Sequence, residues 1–305
     1  MSHKAARRSF GLGALLGIIL SCPHGASAQE GLFPAQADRR VPVSDTTLSA
    51  SMKRASEAVG LVRSEFLPSS PAGFLDGSET GSGVLFAPCL VLTARHVLGV
   101  QPIDASAGRT IKVTFFHDSP DGTRKTLVRE ARVRANGGGR GRWSNLNVVE
   151  DWAILELATP LKEIAPISLE PINCCGPIQS RRIALVGFPA DHFDGNDPEA
   201  WVDPDCRIAQ RLANGMLMTT CLATSGNSGG PLLMQVGDRW VLGGLLTRAA
   251  PPDTFGRAQR TDNFALPVGN YLRREIRNAQ SVSACPVSQP PPLPALVPGP
   301  ETNRK

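Results

Sequence analysis

A serine lies among glycines in the stretch Thr224-Ser225-Gly226-Asn227-Ser228-Gly229-Gly230-Pro231. Glycine adopts backbone angles that other residues resist, so a hydroxyl here can stand exposed on a tight turn while main-chain N–H groups approach a substrate carbonyl. Such N–H groups can bind an oxyanion. Glycine, serine and asparagine also dominate ordinary turns, so the stretch alone supports a nucleophile and a simple turn about equally.

The sequence around this stretch predicts an all-β protein. The chain has 305 residues, of which 41% are hydrophobic, with 30 glycines and 26 prolines. Short apolar runs recur between turn residues in two sets of about six, which is typical of β-barrels or sandwiches. Val268, Leu272 and Ile276 recur at four-residue steps and predict a C-terminal helix over residues 268–277.

Residues 1–28 are interpreted as an export signal. Three basic residues precede the apolar run 12–20, which is too short to span a membrane, and Ala26-Ser27-Ala28 supplies a small-residue cleavage site. We therefore expect a secreted or periplasmic protein with no stable membrane span. Cleavage before Cys22, which would anchor a lipoprotein, fits the sequence less well.

The remaining chain divides into three parts. Residues 29–56 are polar and lack periodicity, which predicts an extended arm or a propeptide. Residues 57–280 form the expected folded domain, with halves at about 57–160 and 176–267. Residues 286–305 are rich in proline and lack a core pattern, which predicts disorder.

The charge of the chain indicates no nucleic-acid partner. The net charge is +5, and removal of residues 1–28 takes away three basic residues and no acidic ones. No cluster of lysine or arginine with interleaved aromatic residues occurs. We expect a monomer whose partner is its substrate.

The seven cysteines predict disulfides. Cys22 leaves with the signal, and in an exported protein the remaining six are expected to pair. Cys206–Cys221 is the favoured pair, because the segment between them has the pattern of two strands joined by Asn214-Gly215. No Cys-x-x-Cys spacing occurs and no histidine lies near these cysteines, so we predict neither a metal site nor a cofactor.

Calcium binding is a weaker alternative. The oxygen ligands that calcium prefers are concentrated in one loop, at Asp191, Asp194, Asn196 and Asp197. The spacing of these residues is not that of an EF-hand, and an acidic loop of this kind is more often solvated.

A serine nucleophile needs a base, and an acid must orient that base. His96 directly follows an apolar strand, and Asp151 stands at the mouth of another. No histidine follows His192, which excludes an α/β-hydrolase, whose histidine comes after its serine. The subtilisin order needs an acid before His96, where the available acids lie in loops. The order that remains is His96, Asp151, Ser228.

Three blocks carry a resemblance to a known family. They are Thr93-Ala94-Arg95-His96, Asp151-Trp152-Ala153-Ile154-Leu155 and Gly226-Asn227-Ser228-Gly229-Gly230-Pro231. Over residues 41–280 the chain resembles the chymotrypsin-like serine proteases. The resemblance implies two six-stranded antiparallel β-barrels and a serine endopeptidase acting on peptide or protein substrates. It also implies a triad of His96, Asp151 and Ser228, with the backbone N–H groups of Gly226 and Ser228 as the oxyanion hole.

Within this family the chain is similar to the bacterial secreted branch that includes glutamyl endopeptidases. The arm segment from Arg40 to Asp45-Thr46-Thr47 resembles their mature N-terminus. Asn227 stands where vertebrate-type members have an aspartate that captures a new N-terminal amine. We therefore do not expect activation through that ion pair.

The resemblance places a specificity pocket at Leu222, Ala223, Thr247 and Arg248. Ala223 stands where glutamyl endopeptidases have a threonine, and Leu246 or Thr247 stands where they have a histidine, so glutamate preference is not expected. Leu222 stands near the position where a trypsin-like pocket has an acidic residue at its floor, so a trypsin-like preference is not expected either. Arg248 is interpreted as pointing to solvent rather than attracting an acidic substrate. We expect cleavage beside small or apolar residues.

A non-catalytic binding module on the same fold is the alternative function. Inactive relatives usually lack a triad residue, whereas this chain has candidates for all three positions.

Overall fold

The structure of the protein, a computed structural model, describes residues 38–66, 78–99, 109–119, 121–137, 148–170, 181–193, 198–248 and 263–283. Within these ranges the chain forms fourteen strands and two α-helices. In chain order they are β1 (Val41–Pro42), α1 (Ala50–Glu57), β2 (Val59–Phe66), β3 (Ser78–Ala87), β4 (Leu90–Thr93), β5 (Arg109–Asp118), β6 (Arg124–Asn136), β7 (Ala153–Leu157), β8 (Ile183–Gly187), β9 (Trp201–Cys206), β10 (Ile208–Arg211), β11 (Leu217–Thr219), β12 (Pro231–Val236), β13 (Arg239–Arg248), β14 (Asn263–Pro267) and α2 (Asn270–Val282).

The first half is a closed antiparallel barrel in the order β2-β3-β4-β7-β6-β5. In β5 the buried residues are Ile111, Val113 and Phe115, and this period of two puts one face of the strand inside the barrel. Every residue of β4 and β7 is buried, since both faces of these strands are covered. The six-stranded first barrel predicted from the sequence is confirmed.

The second half of the two-barrel fold is a half-barrel sheet that also takes in the arm strand β1. It is an eight-stranded sheet in the order β1-β9-β8-β12-β13-β14-β11-β10, and its edges are not joined by strand pairing among the described residues. The arm strand β1 covers one edge, where Val41 pairs with Val202. Only Arg207 separates β9 near that edge from β10 at the other edge, so the sheet curls until the two edges approach each other.

A buried disulfide fastens the curled sheet. Cys206 at the end of β9 is bonded to Cys221, as predicted, with 4.6 Å between the two Cα atoms. Gly215, with a φ of 86°, makes the turn between β10 and β11. Cys89 is also disulfide-bonded.

The two helices pack on the core at opposite ends of the domain sequence. The arm contains α1, which the polar sequence did not predict; Ser49 caps it by accepting from the Met52 N–H at 3.2 Å, and Met52 is buried. The C-terminal helix α2 begins two residues later and ends five residues later than predicted. Neither helix of the described chain is long and apolar enough to cross a membrane.

Candidate active site

Ser228 lies in a tight loop between β11 and β12. Gly226 and Gly229 have φ angles of 88° and 80°, which favour glycine. The loop is closed internally: the Asn227 N–H donates to the Thr224 carbonyl at 3.2 Å, and the Thr224 N–H donates to Asn227 Oδ1 at 3.0 Å. Asn227 is buried and structural, whereas Ser228 is half-buried.

The loop rests on strand β3 of the first barrel. The Ser82 N–H donates to the Ser228 carbonyl at 2.7 Å, and Ser82 Oγ donates to the Gly226 carbonyl at 2.7 Å. Ser82 Oγ in turn accepts from the Phe188 N–H at 3.0 Å. A Cβ atom at Gly81 would come within 2.8 Å of the Ser228 carbonyl oxygen, so glycine is needed for this close approach.

The end of β4 meets the same loop. A Cβ atom at Gly229 would collide with the Ser82 carbonyl and with Thr93 Oγ1, and would lie 2.8 Å from the Ala94 nitrogen. Thr93 Oγ1 donates to the Ser82 carbonyl at 2.7 Å, which fixes this strand end. His96 follows two residues after Ala94, in a short 3-10 turn, so it enters the junction beside the nucleophile loop.

His96 and Asp151 are bonded to each other twice. His96 Nδ1 lies 2.7 Å from Asp151 Oδ2, and the His96 N–H donates to Asp151 Oδ1 at 3.0 Å. The strands explain the meeting, because Thr93 of β4 pairs with Ala153 of β7. Asp151 is only 7% exposed, and an ionised carboxylate accepts hydrogen bonds only. The proton therefore lies on Nδ1, and Nε2 carries the lone pair that accepts a proton.

Two backbone amides of the loop are oriented by hydrogen bonds to the carbonyls that precede them. The Ser225 carbonyl accepts from the Ala190 N–H at 2.8 Å, and a trans peptide points its N–H the opposite way, so the Gly226 N–H points away from Ala190. The Asn227 carbonyl accepts from the Gly230 N–H at 2.8 Å, which aims the Ser228 N–H in the same manner. Within the described part of the chain neither amide donates to a protein acceptor.

The predicted pocket residues are partly buried. Leu222 and Ala223 are 3% and 0% exposed, whereas Arg248 is exposed at the end of β13. Thr247 is buried, and its Oγ1 donates to the Phe264 carbonyl at 3.3 Å.

Sequence reasoning missed the buried acid behind Leu222. Asp203 of β9 is 1% exposed, and its Oδ2 accepts from the Leu222 N–H at 2.7 Å. Burial raises the pKa of Asp203 above its usual value, against the lowering effect of this hydrogen bond. No local pattern could have found the contact, because Asp203 lies on another strand, 19 residues away.

Asp191, one of the proposed calcium ligands, is instead part of a hydrogen-bond network with Arg40 and Thr224. It binds Arg40 and accepts from Thr224 Oγ1 at 2.7 Å. Asp38, Asp191 and His192 are close enough to hold a metal ion, but Arg40 already pairs with both carboxylates. The other proposed ligands, Asp194, Asn196 and Asp197, lie outside the described residues.

Comparisons with known proteins agree with this architecture. The sequence profile of the trypsin-like peptidase domain matches residues 81–242, which contain His96, Asp151 and Ser228. No curated protein matches the sequence.

The chain is similar to many solved structures, and three of them illustrate the likeness. A Glu endopeptidase in complex with MPD has a TM-score of 0.51 at 15% identity, covering 79% of this chain and 96% of its own. The thermostable serine protease AL20 from an extremophilic microorganism has a TM-score of 0.51 at 16% identity, with coverages of 75% and 100%. Deg5 has a TM-score of 0.47 at 19% identity, with coverages of 74% and 94%. At these identities the first two establish a shared fold.

Proposed function

The chain belongs to the trypsin-like peptidase family, and from this premise we propose that it is a serine endopeptidase using Ser228, His96 and Asp151. The observation that carries the proposal is the double contact of Asp151 with His96, at 2.7 and 3.0 Å, where the nucleophile loop meets the first barrel. A buried acid that holds a histidine in this tautomer is what a serine nucleophile requires.

The mechanism begins with attack of Ser228 Oγ on the scissile carbonyl carbon. His96 Nε2 takes the hydroxyl proton as the new C–O bond forms, and Asp151 stabilises the resulting imidazolium. The carbonyl oxygen becomes an oxyanion, which accepts from the N–H groups of Gly226 and Ser228. Each such donor contributes about 3–4 kcal/mol to transition-state stabilisation.

Collapse of the tetrahedral intermediate breaks the C–N bond, and His96 gives its proton to the leaving amine. The acyl group stays on Ser228 until a water molecule, deprotonated by His96, attacks the ester carbonyl. The second collapse returns the proton to Ser228 Oγ and releases the new carboxyl end of the substrate.

We propose that the pocket accepts small or apolar side chains. Leu222 and Ala223 are both apolar, and Arg248 is exposed at the strand end. We also propose that the enzyme acts in the periplasm or outside the cell, because the Cys206–Cys221 disulfide suits an oxidising compartment.

The decisive test replaces Ser228 by alanine. Hydrolysis of a peptide library is expected to fall by about 10⁶-fold, while the circular dichroism spectrum stays that of the wild type. A serine-directed phosphonate should label the wild type at Ser228 and leave Ser228→Ala unlabelled. The same library, read by mass spectrometry, reports the side chains preferred at the cleavage site.

A histidine pair supplies the matched control. His96→Ala should lose activity. His117→Ala should keep it, because His117 lies near the C-terminal end of β5 and contacts Glu57 of α1. Retained hydrolysis in Ser228→Ala would contradict the assignment. A folded wild type that never reacts with the phosphonate would favour the non-catalytic binding module instead.

A further inference from the structure

The N-terminal arm is bonded to the second sheet next to the nucleophile loop. Val41 of β1 pairs with Val202 of β9, and the Val43 N–H donates to the Ala200 carbonyl at 2.9 Å. These backbone bonds on the arm set the position of Arg40. The Arg40 side chain is 2% exposed, which is rare for arginine without a specific partner.

Arg40 is held between two carboxylates. Its guanidinium lies 2.7 Å from Asp38 Oδ2, and it donates to both oxygens of Asp191, at 3.0 and 2.5 Å. Such two-pronged pairing is the geometry in which arginine binds carboxylates most strongly. Burial lowers the pKa of Arg40, but both carboxylates outweigh this effect and the net pKa is raised, so the group stays charged.

Asp191 connects Arg40 by hydrogen bonds to the loop that carries Ser228. Its Oδ1 accepts from Thr224 Oγ1 at 2.7 Å, and the Thr224 N–H is bonded to Asn227 Oδ1 at 3.0 Å. The preceding residue, Ala190, donates its N–H to the Ser225 carbonyl at 2.8 Å. The turn at residues 190–192 is thus bound on one side to the arm and on the other to the peptide that orients the Gly226 N–H.

We propose that Arg40 is a positioning residue of the active site. Through Asp191 and Thr224 it holds the nucleophile loop in the conformation that aims the N–H groups of Gly226 and Ser228 at the oxyanion. The inference rests on the proposed endopeptidase function. Asn227 carries no charge that could pair with a freed N-terminal amine. The buried positive charge near the loop is instead the guanidinium of Arg40, which is connected to the loop through Asp191.

The kinetic test compares two arm arginines in the full chain. Arg40→Ala is expected to lower kcat by about 10- to 100-fold, as for a misplaced catalytic geometry, with KM changed less than about threefold. Arg40→Lys should recover part of the loss, because it restores the charge without the planar fork. The control is Arg54→Ala, since Arg54 is an exposed residue of the arm helix α1 and should leave kcat unchanged.

Thr224→Val separates positioning from stability. It removes the hydroxyl donor to Asp191 while keeping the shape of the side chain and leaving Arg40 paired, so the protein should fold. Its kcat should fall in the same direction as that of Arg40→Ala. If Arg40→Ala does not fold, Thr224→Val decides the question: wild-type kcat in this variant would overturn the proposal.

Hydrogen exchange gives a readout that needs no catalysis. Amides of residues 225–230 should exchange faster in Arg40→Ala and Thr224→Val than in the wild type and Arg54→Ala, at equal resistance to urea. If the wild type hydrolyses no peptide, the endopeptidase proposal fails, while exchange still judges the role of Arg40. Unchanged exchange in both variants, or faster exchange that only follows a global loss of stability, would overturn the inference.

Discussion

Gly229 lets the nucleophile loop touch the first barrel because it has no side chain. Its φ is 80°, and any Cβ atom there would collide with the Ser82 carbonyl. Gly215 has a similar φ of 86°, yet a Cβ atom there would meet nothing within 4 Å. Both positions therefore favour glycine for its positive φ, but of the two only Gly229 also needs glycine because a neighbouring backbone lies too close for a Cβ atom.

Alanine substitution at both positions tests this difference. Gly215→Ala should lower the free energy of unfolding by about 1–2 kcal/mol, the usual cost of a left-handed conformation, with full activity. Gly229→Ala adds the overlap with Ser82, which should cost about 1–3 kcal/mol more and abolish turnover. Urea denaturation and peptide hydrolysis measure both effects. Equal losses of stability in the two variants would contradict the close-approach explanation.

At the scale of elements, the N-terminal arm is attached through charges at Asp38 and Arg40 as well as through the backbone bonds of β1. Asp38 lies 2.9 Å from His192 Nε2, and the His192 ring stacks on Trp201 at 3.8 Å between ring centroids. Burial raises the pKa values of Asp38 and Asp191, but hydrogen bonds from Arg40 outweigh it, so both pKa values lie below the usual 3.8.

The arm should consequently detach at acid pH. A carboxyl with a lowered folded pKa contributes stability that is fully present above its unfolded pKa of 3.8, and that is lost as the pH falls through the folded pKa. The protection factors of the amides in residues 38–43, which correct for the pH dependence of intrinsic exchange, should therefore stay high at pH 5 and begin to fall below about pH 4. Asp38→Asn should weaken this dependence. Release already between pH 7 and 5, where both carboxylates are still ionised, would contradict this explanation.

At the scale of the molecule, a buried serine is central to the contact between the two halves. Ser82 on β3 is 0% exposed; its N–H donates to the Ser228 carbonyl, and its hydroxyl links the Gly226 carbonyl with the Phe188 N–H. The geometry of the candidate site therefore depends on how the two halves contact each other and also on the fold of each half.

Ser82→Ala should reduce both stability and turnover. The Phe188 N–H and the Gly226 carbonyl would lose their buried partner, which costs about 1–3 kcal/mol. Ser64→Ala is the matched control, because Ser64 is also 0% exposed but makes a 3.5 Å contact with the Leu98 carbonyl inside the first barrel. Denaturation and kcat are measured for both variants. A Ser82→Ala protein with wild-type kcat would show that the junction does not position the loop.

Local patterns were sufficient for much of the architecture. Short apolar strands between turns predicted an all-β barrel or sandwich, and the family resemblance implied a six-stranded first barrel. The strand pair around Asn214-Gly215 predicted the Cys206–Cys221 disulfide. The structure confirms the barrel and the disulfide. The blocks around His96, Asp151 and Ser228 selected the candidate catalytic residues, whose roles stay a prediction. These signals were readable because strand period, turn chemistry and short motifs are properties of neighbouring residues.

The tertiary structure decided what depends on distant segments meeting. It closed the first half but left the second as an eight-stranded sheet with the arm at one edge. It joined Arg40 to Asp191, 151 residues away, and set Asp203 behind Leu222. The order of His96, Asp151 and Ser228 along the sequence was enough to select the loop that could carry a nucleophile. Which charges and strands surround that loop was settled only by packing, because a buried ion pair leaves no periodic trace in the sequence.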